Sequence, residues 1–311
     1  MPQGVQARDA RAARDLVGVA LSSRPMHTDP RPLVPARRRA PALLLALALA
    51  AGTASAQEDV PFITTPDNVT LAMLELAGVG AGDHVIDLGS GDGRIVITAA
   101  RRFGASGLGV EIVPDLVLRS RVNARAAGVA ERVEFREQDL FTTPLGRATV
   151  VTMYLLPEVN LQLRPRLAAL QPGTRIVSHD WDLGDWTPDR SITVAAPDKT
   201  IGRDKSSRLM LWVVPAQVHG LWCTAGASLA ITQRFQAVSG EFRLAAPGGA
   251  AGPTTTMVFD ARVAGRAITV QAPHAGMLQA DADSLRVHSA NGALAAFMGQ
   301  PFRRATGSRC P

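Results

Sequence analysis

Short apolar runs alternate with helical stretches along the middle of the chain, from about residue 62 to residue 214. Strands are expected at 84–88, 107–111, 132–136, 148–155 and 174–178, with a terminal antiparallel pair at 191–195 and 208–214. Helices are expected at 66–77, 94–103, 114–127 and 158–170. This alternation predicts an α/β fold, a Rossmann-like and mostly parallel seven-stranded sheet with helices on both faces.

The pattern changes after residue 215, where helical stretches give way to short strand-like ones. Turns rich in glycine, proline and asparagine separate the stretches at 228–235, 256–263, 267–271 and 284–288. These features predict a small all-β domain at 216–311, with residues 216–220 as the joint. The seven-stranded domain is accordingly expected at 57–215, after a leader at 1–56.

The leader has the three parts of a secretory signal peptide. Three arginines at 37–39 precede ten apolar residues at 42–51, and Ala-Ser-Ala at 54–56 stands directly before Gln57. Ten helical residues span about 15 Å, roughly half of a hydrocarbon core, which disfavours a membrane-spanning helix. We therefore expect an exported protein, periplasmic or envelope-associated if bacterial, with a cytoplasmic protein as the alternative. Either Met1 or Met26 serves as the start in this interpretation.

The formal charge of +6 is concentrated in the leader, which holds eight arginines and three acids. The remaining chain carries 25 basic and 24 acidic residues and is nearly neutral. A neutral body has no general attraction for polyanions, so we expect no nucleic-acid partner. The sequence leaves the oligomeric state open.

The only two cysteines, Cys223 and Cys310, lie near the two ends of the all-β domain. In an exported chain, an even pair predicts one disulfide, and two buried free thiols are the alternative. The six histidines lack the spacing of metal ligands, so no metal site is expected.

A glycine-rich loop with the sequence Asp-Leu-Gly-Ser-Gly-Asp-Gly-Arg-Ile-Val follows the first strand, at 87–96. Its glycines permit close backbone approach to a ligand. Acids end or follow three successive strands, Asp87, Glu111 and Asp139, and open α/β sheets bind ligands at this rim. Because Asp87 and Asp92 would repel a pyrophosphate, the loop favours a cation. The sulfonium and amino groups of S-adenosylmethionine are such cations.

These residues resemble class I S-adenosylmethionine-dependent methyltransferases. Within that class they are most similar to the seven-β-strand protein-lysine methyltransferases, which include the ATP synthase c-subunit lysine methyltransferase and archaeal enzymes. The resemblance covers about 60–214 and uses three segments: the glycine loop, Leu-Pro-Glu-Val-Asn-Leu-Gln-Leu at 156–163 and Asp-Trp-Thr-Pro-Asp at 185–189. The export signal and the all-β domain are departures from the family.

The resemblance implies a role for each rim residue. The methionine part of S-adenosyl-L-methionine would contact the loop residues Asp87, Gly89, Ser90, Gly91 and Gly93. Glu111 would accept hydrogen bonds from the ribose, and Asp139 would accept one from the adenine amino group beside Leu140. An acceptor lysine must lose a proton, and Tyr154, Glu158 and Asp180 are the candidates for orienting or deprotonating it. Asp182 and His179 are further candidates on the same rim.

Two other functions stay open at this point. The first is a methyltransferase for a small-molecule acceptor. The second is an exported, non-catalytic binding protein that acts through its all-β domain, since S-adenosylmethionine is not expected outside the cytoplasm. The intact glycine loop and carboxylates favour an enzyme.

Overall fold

The computed structural model describes residues 62–201, 204–245 and 255–310. The predicted signal peptide and both candidate start sites lie outside these residues. None of the described helices has the length and apolar character needed to cross a membrane.

The predicted seven-stranded sheet is present. Its strands are β1 (His84–Leu88), β2 (Ser106–Glu111), β3 (Val133–Glu137), β4 (Val150–Met153), β5 (Arg175–His179), β6 (Arg190–Ala195) and β7 (Ser206–Val213). They lie in the order β3-β2-β1-β4-β5-β7-β6. Strands β1 to β5 are parallel, and β7 runs antiparallel to both of its neighbours. The predicted antiparallel pair at the sheet edge is therefore confirmed.

Four helices pack on the sheet: α1 (Asp67–Leu76), α2 (Arg94–Phe103), α3 (Pro114–Ala126) and α4 (Pro157–Ala168). The first precedes β1, and the other three connect strands. Their ends lie within two residues of the predicted ones. Pro114 and Pro157 begin α3 and α4, where a residue without an N–H group leaves no hydrogen bond unmade. Local sequence signals therefore determine where each helix starts.

Alternate strand residues face two separate apolar layers. On one face, Val85 and its neighbours pack against α1 and α2. On the other face, Ile86 and its neighbours pack against α4. Within the described residues, α4 is the one helix on this second face. The segment at 180–189 covers part of the remainder through Leu183 and Trp186, which are both fully buried.

The all-β domain is a closed antiparallel barrel of eight strands. They are β8 (Gly220–Thr224), β9 (Ala227–Arg234), β10 (Ala237–Leu244), β11 (Thr255–Ala264), β12 (Ala267–Val270), β13 (Gly276–Ala280), β14 (Ser284–Ala290) and β15 (Pro301–Arg304). The sequence predicted β structure here but not its closure. Fully buried Trp222, Phe242 and Phe302 belong to the core of the barrel. The interior of an eight-stranded barrel is just wide enough for such side chains to fill it.

The barrel closes where β8 pairs with β15, and this ladder has only two residue pairs. The predicted disulfide between Cys223 and Cys310 is present beside this seam. The Arg304 guanidinium lies 4.1 Å from the centre of the Trp222 ring on the same seam. The disulfide thus reinforces a short ladder and joins residues 87 positions apart.

Reduction of this disulfide is expected to destabilise the barrel by up to about 4 kcal/mol, because a long loop regains conformational entropy in the unfolded chain. Thermal unfolding with and without reductant measures the effect. The double variant Cys223→Ser and Cys310→Ser should unfold like the reduced protein and should not respond to reductant. An unfolding curve of the wild-type protein that reductant leaves unchanged would contradict this role of the disulfide.

Candidate active site

The carboxyl ends of the central strands surround a cavity of about 430 Å³. Seven of the eight predicted cofactor residues line it: Asp87, Gly89, Ser90, Gly91, Glu111, Asp139 and Leu140. Of the three residues predicted to act on the acceptor, Tyr154 lines the cavity, while Glu158 and Asp180 do not. The structure therefore places most of the predicted cofactor residues around one cavity. Of the three residues predicted to act on the acceptor, it places Tyr154 there alone.

The glycine loop has three residues with positive φ: Gly89 at 73°, Gly91 at 54° and Gly93 at 82°. This conformation favours glycine. The backbone N–H groups of Gly89 and Ser90 both donate to the carbonyl of Val110, which fixes the loop against β2. Gly93 is the predicted cofactor residue that does not line the cavity, and a Cβ there would lie 2.6 Å from the Phe135 ring. The sequence signal for Gly93 therefore reflects close packing behind the loop.

Asp87 is buried at the end of β1, and the Thr152 hydroxyl donates to its carboxylate at 2.7 Å. No lysine, arginine or histidine of the described ranges pairs with it. Burial raises the pKa of Asp87 to about 7, against the opposing effect of the Thr152 hydrogen bond. The nearby carboxylates of Glu111 and Asp92 raise it further. Such a carboxylate is suited to a cationic ligand.

Asp92 differs from Asp87 because its charge is compensated within the chain. The Arg94 guanidinium donates to both of its oxygens, at 3.0 and 2.7 Å. Burial alone would raise the pKa of Asp92, but Arg94 outweighs burial and holds it below its usual range. The expectation that Asp92 repels an anionic ligand is therefore corrected, and Asp87 is the loop acid that favours a cation.

Glu111, at the end of β2, connects the strand to the glycine loop. Its carboxylate accepts from the backbone N–H groups of Gly91 at 2.9 Å, Ile112 at 2.8 Å and Val113 at 3.1 Å. Asp139 is exposed after β3 and accepts from the N–H of Phe141 at 2.7 Å. Backbone donors thus hold both carboxylates where they can accept further hydrogen bonds from a ligand. This set of carboxylate acceptors fits the charge and the hydrogen-bond donors of S-adenosylmethionine: Asp87 would face its cationic end, and Glu111 and Asp139 would face its nucleoside.

Tyr154 follows β4 and stacks on His179, with 3.8 Å between the ring centres. His179 is fully buried, and its two ring nitrogens contact the hydroxyls of Thr65 and Ser207. Burial lowers the pKa of His179 well below its ordinary value, so the ring is neutral at pH 7. His179 therefore supports the Tyr154 ring from behind and is not placed as a base at the cavity.

The three remaining acceptor candidates do not line the cavity. Asp180 accepts from the ammonium of Lys199 at 2.7 Å and from the N–H of Arg208 at 2.9 Å. These contacts fix the end of β5 to the β6–β7 region. Glu158 is exposed on the first turn of α4. Asp182 is exposed as well and accepts from the N–H of Gly184.

The mouth of the cavity is apolar, a feature that the sequence analysis missed. Seven of the thirteen large apolar side chains exposed in the described residues line this one cavity: Phe62, Ile112, Val113, Phe141, Leu156, Trp181 and Ile201. They come from loops that are distant in sequence and carry no periodic pattern. In the sequence, the clearest indication of an apolar mouth was Trp181, which stands between Asp180 and Asp182 and is 44% exposed in the structure.

Comparisons with known proteins agree with this geometry. Residues 87–190 match the family model of the ANTKMT methyltransferase domain. A protein-lysine N-methyltransferase of Saccharolobus islandicus is 43% identical over 137 residues, which are 43% of this chain and 85% of that protein. The mouse ATP synthase c-subunit lysine N-methyltransferase is 35% identical over 130 residues, which are 40% of this chain but only 52% of that protein.

A crystal structure of an RNA methyltransferase from Salinibacter ruber, in complex with S-adenosyl-L-homocysteine, is 50% identical. The match covers 50% of this chain and 96% of that one, with a TM-score of 0.46. The sheet, the glycine loop and the rim carboxylates define a class I S-adenosylmethionine-dependent methyltransferase. Within that class, the chain belongs to the protein-lysine N-methyltransferase family of which the Saccharolobus enzyme is a member.

Binding of S-adenosylmethionine is expected to strengthen about tenfold between about pH 6 and pH 8, because the competent, ionised fraction of Asp87 rises through a pKa of about 7. Thr152→Val removes the hydrogen bond that favours the ionised form. The midpoint of the pH dependence should therefore move to higher pH in this variant. Calorimetric titrations across the pH range measure both effects.

Asp87→Asn is the control, because it cannot ionise and should bind weakly at every pH. Titration of the cofactor's own amino group would persist in this variant and is thereby separated from that of Asp87. A wild-type dissociation constant that does not change with pH would remove Asp87 from the cofactor site.

Proposed function

We propose that this enzyme transfers a methyl group from S-adenosylmethionine to the side-chain amine of lysine in a protein. The observation that carries the proposal is the match to the Saccharolobus protein-lysine N-methyltransferase, of which the aligned residues cover 85%. The names of the mouse relatives, which refer to lysine of the ATP synthase c-subunit and of the adenine nucleotide translocase, support the same acceptor chemistry.

The apolar mouth supports a polypeptide acceptor over a small molecule. Leu156 is 49% exposed and Trp181 is 44% exposed, and both line the cavity. Exposed apolar patches mark surfaces that contact a protein or a membrane, or grooves that bind a ligand, and the open position of this patch at the mouth of the cavity favours a protein. A site for a small acceptor would instead enclose it and exclude water.

The bound cofactor supplies a methyl group activated by a positively charged sulfur. Transfer then requires a neutral amine held in line with that group, and most of the acceleration can come from positioning. Deprotonating lysine from its ordinary pKa costs about 4–5 kcal/mol at pH 7. An apolar mouth lowers this cost, because burial disfavours the ammonium form.

Tyr154 is the residue we assign to orienting the amine. Its hydroxyl has no hydrogen-bond partner among the described residues, and its ring lines the cavity. Burial, together with the nearby Asp180 carboxylate, raises the pKa of Tyr154, so the hydroxyl stays protonated near neutral pH. It can accept a hydrogen bond from the amine and so direct the nitrogen lone pair toward the methyl group.

We also propose that the protein is exported. The three-part signal at 37–56 supports this location, as does the disulfide beside the barrel seam, since disulfides persist in oxidising compartments.

Mass spectrometry of protein from its native cells should find Gln57 at the N-terminus and no free thiol. Free thiols on a chain that retains the leader would place the enzyme in the cytoplasm instead.

The acceptor is tested with cofactor labelled in its methyl group. The protein acceptors are a lysine-rich protein and the same protein with its lysines acetylated, alongside free lysine and RNA. Label should enter only the unmodified protein, and a hydrolysate should contain methyl-lysine. Equal labelling of the acetylated protein, or labelling of free lysine or RNA alone, would overturn the lysine-in-protein proposal.

Tyr154→Phe is expected to lower kcat about five- to tenfold, the effect of losing about one hydrogen bond to the reacting amine. The ring stack on His179 is retained in this variant, so cofactor affinity should not change. Steady-state kinetics together with a cofactor titration separate the two effects. A wild-type kcat in this variant would exclude the hydroxyl from catalysis.

A further inference from the structure

The segment at 180–189, which joins β5 to β6 and is called the acceptor loop below, has different neighbours at its two ends. At its beginning, Trp181 lines the mouth of the cavity. At its end, four of the five residues at 185–189 contact the barrel through side chains or a backbone carbonyl. One short segment thus connects the acceptor side of the active site with the additional domain.

The central contact is aromatic. Phe235, in the turn between β9 and β10, stacks on Trp186 with 5.2 Å between ring centres and 5° between ring planes. Trp186 is fully buried, and Phe235 packs against the apolar layer on the second face of the sheet. Phe235 has a φ of 51°, which is strained for a bulky residue. Such strain persists where surrounding contacts impose it, and it clusters at functional positions.

Polar contacts surround this stack. Asp185 forms ion pairs with Arg164 of α4 and with Arg234 of the barrel, so it connects both domains. The Gln236 side chain is buried and donates to the carbonyl of Thr187. Arg262 of β11 pairs with Asp189, where the acceptor loop ends. Together they fix the loop from the barrel side along its second half.

The loop depends on such contacts because it contains no helix or strand of its own. A single isolated bridge, between Leu183 and Trp186, is its internal β pairing. At the mouth, the Asn160 side chain donates to the carbonyls of Trp181 and Asp182. The loop is therefore held at one end by α4 and at the other end by the barrel.

We propose that the β9–β10 turn of the barrel, Phe235 and Gln236, together with Arg234 at the end of β9, is a positioning element for methyl transfer. It fixes the acceptor loop so that Trp181 presents an ordered surface to the incoming polypeptide. This role rests on the proposed function, since it takes the apolar mouth as the acceptor site. Without the turn, the loop must be ordered during acceptor binding, and that ordering weakens the complex.

Phe235→Asn tests the proposal, because Asn tolerates positive φ and the variant loses the ring while keeping the turn. The acceptor KM should rise about two- to tenfold, the range that an aromatic pair spans. The dissociation constant of S-adenosylmethionine should stay as in the wild type. Hydrogen–deuterium exchange should become faster at residues 180–184, far from the substituted position in sequence.

Two further variants serve as controls. Met298→Asn makes a matched apolar-to-Asn change at a barrel side chain that is 55% exposed, and it should leave KM and exchange unchanged. Phe235→Tyr keeps an aromatic ring on Trp186 and should restore the wild-type KM. Melting temperatures of all three variants separate a loosened loop from an unfolded barrel.

Hydrogen–deuterium exchange at 180–184 and the acceptor KM together decide the proposal. Faster exchange at 180–184 with a raised KM, in Phe235→Asn alone, supports the proposal. Unchanged exchange, an unchanged KM despite faster exchange, or equal effects in Met298→Asn would overturn it. If the wild-type enzyme methylates no protein, the proposed function fails, and the exchange measurement still decides whether the barrel fixes the loop.

Discussion

Burial of the Asp87 carboxylate at the end of the central strand β1 is the constraint on which the rest of the site depends. A pKa raised from 3.8 to about 7 means that the folded state binds the proton more tightly than the unfolded chain. The free energy of unfolding therefore falls as pH rises from about 4 to about 7, by about 4 kcal/mol in total. A cationic ligand offsets this loss when it binds. Affinity for a positive charge at this position is thus a property of the fold, because the described residues supply no cationic partner to the buried carboxylate.

The neighbouring strands and loops surround the buried Asp87 carboxylate with specific contacts. Thr152 lies directly opposite Asp87 on β4 and donates a hydrogen bond to its carboxylate. Arg94 pairs with Asp92 and keeps it ionised, and the Asp92 carboxylate adds a small share to the raised pKa of Asp87. Glu111 accepts from the N–H of Gly91 and so holds the glycine loop open toward the ligand. The loop is therefore preorganised by contacts within the chain, and binding requires little rearrangement of it.

Much of the fold and of the candidate site could be predicted because short stretches of the sequence encode it. A proline at a helix start, an acid at a strand end and a glycine at positive φ are each encoded within a few residues. The sheet, the helices and the position of seven of the eight predicted cofactor residues around one cavity could therefore be predicted from the sequence. The pairing of Asp92 with Arg94 and the packing of Gly93 against Phe135 depend on side-chain directions that spacing does not reveal. Closure of the barrel is a further case. Its seam joins β8 to β15 through two residue pairs, far apart in sequence.

The barrel is integrated into the enzyme because the sheet is unevenly covered. Three helices connect β1 to β3 and precede β1, whereas β3–β4 and β5–β6 are joined by segments without a helix. The second face consequently relies on α4, on the buried Trp186 and on Phe235, which the barrel contributes. An aromatic ring from one domain thus completes the apolar layer of the other. The additional domain cannot be regarded as a detachable module, since the apolar layer beneath the acceptor side of the sheet includes one of its residues.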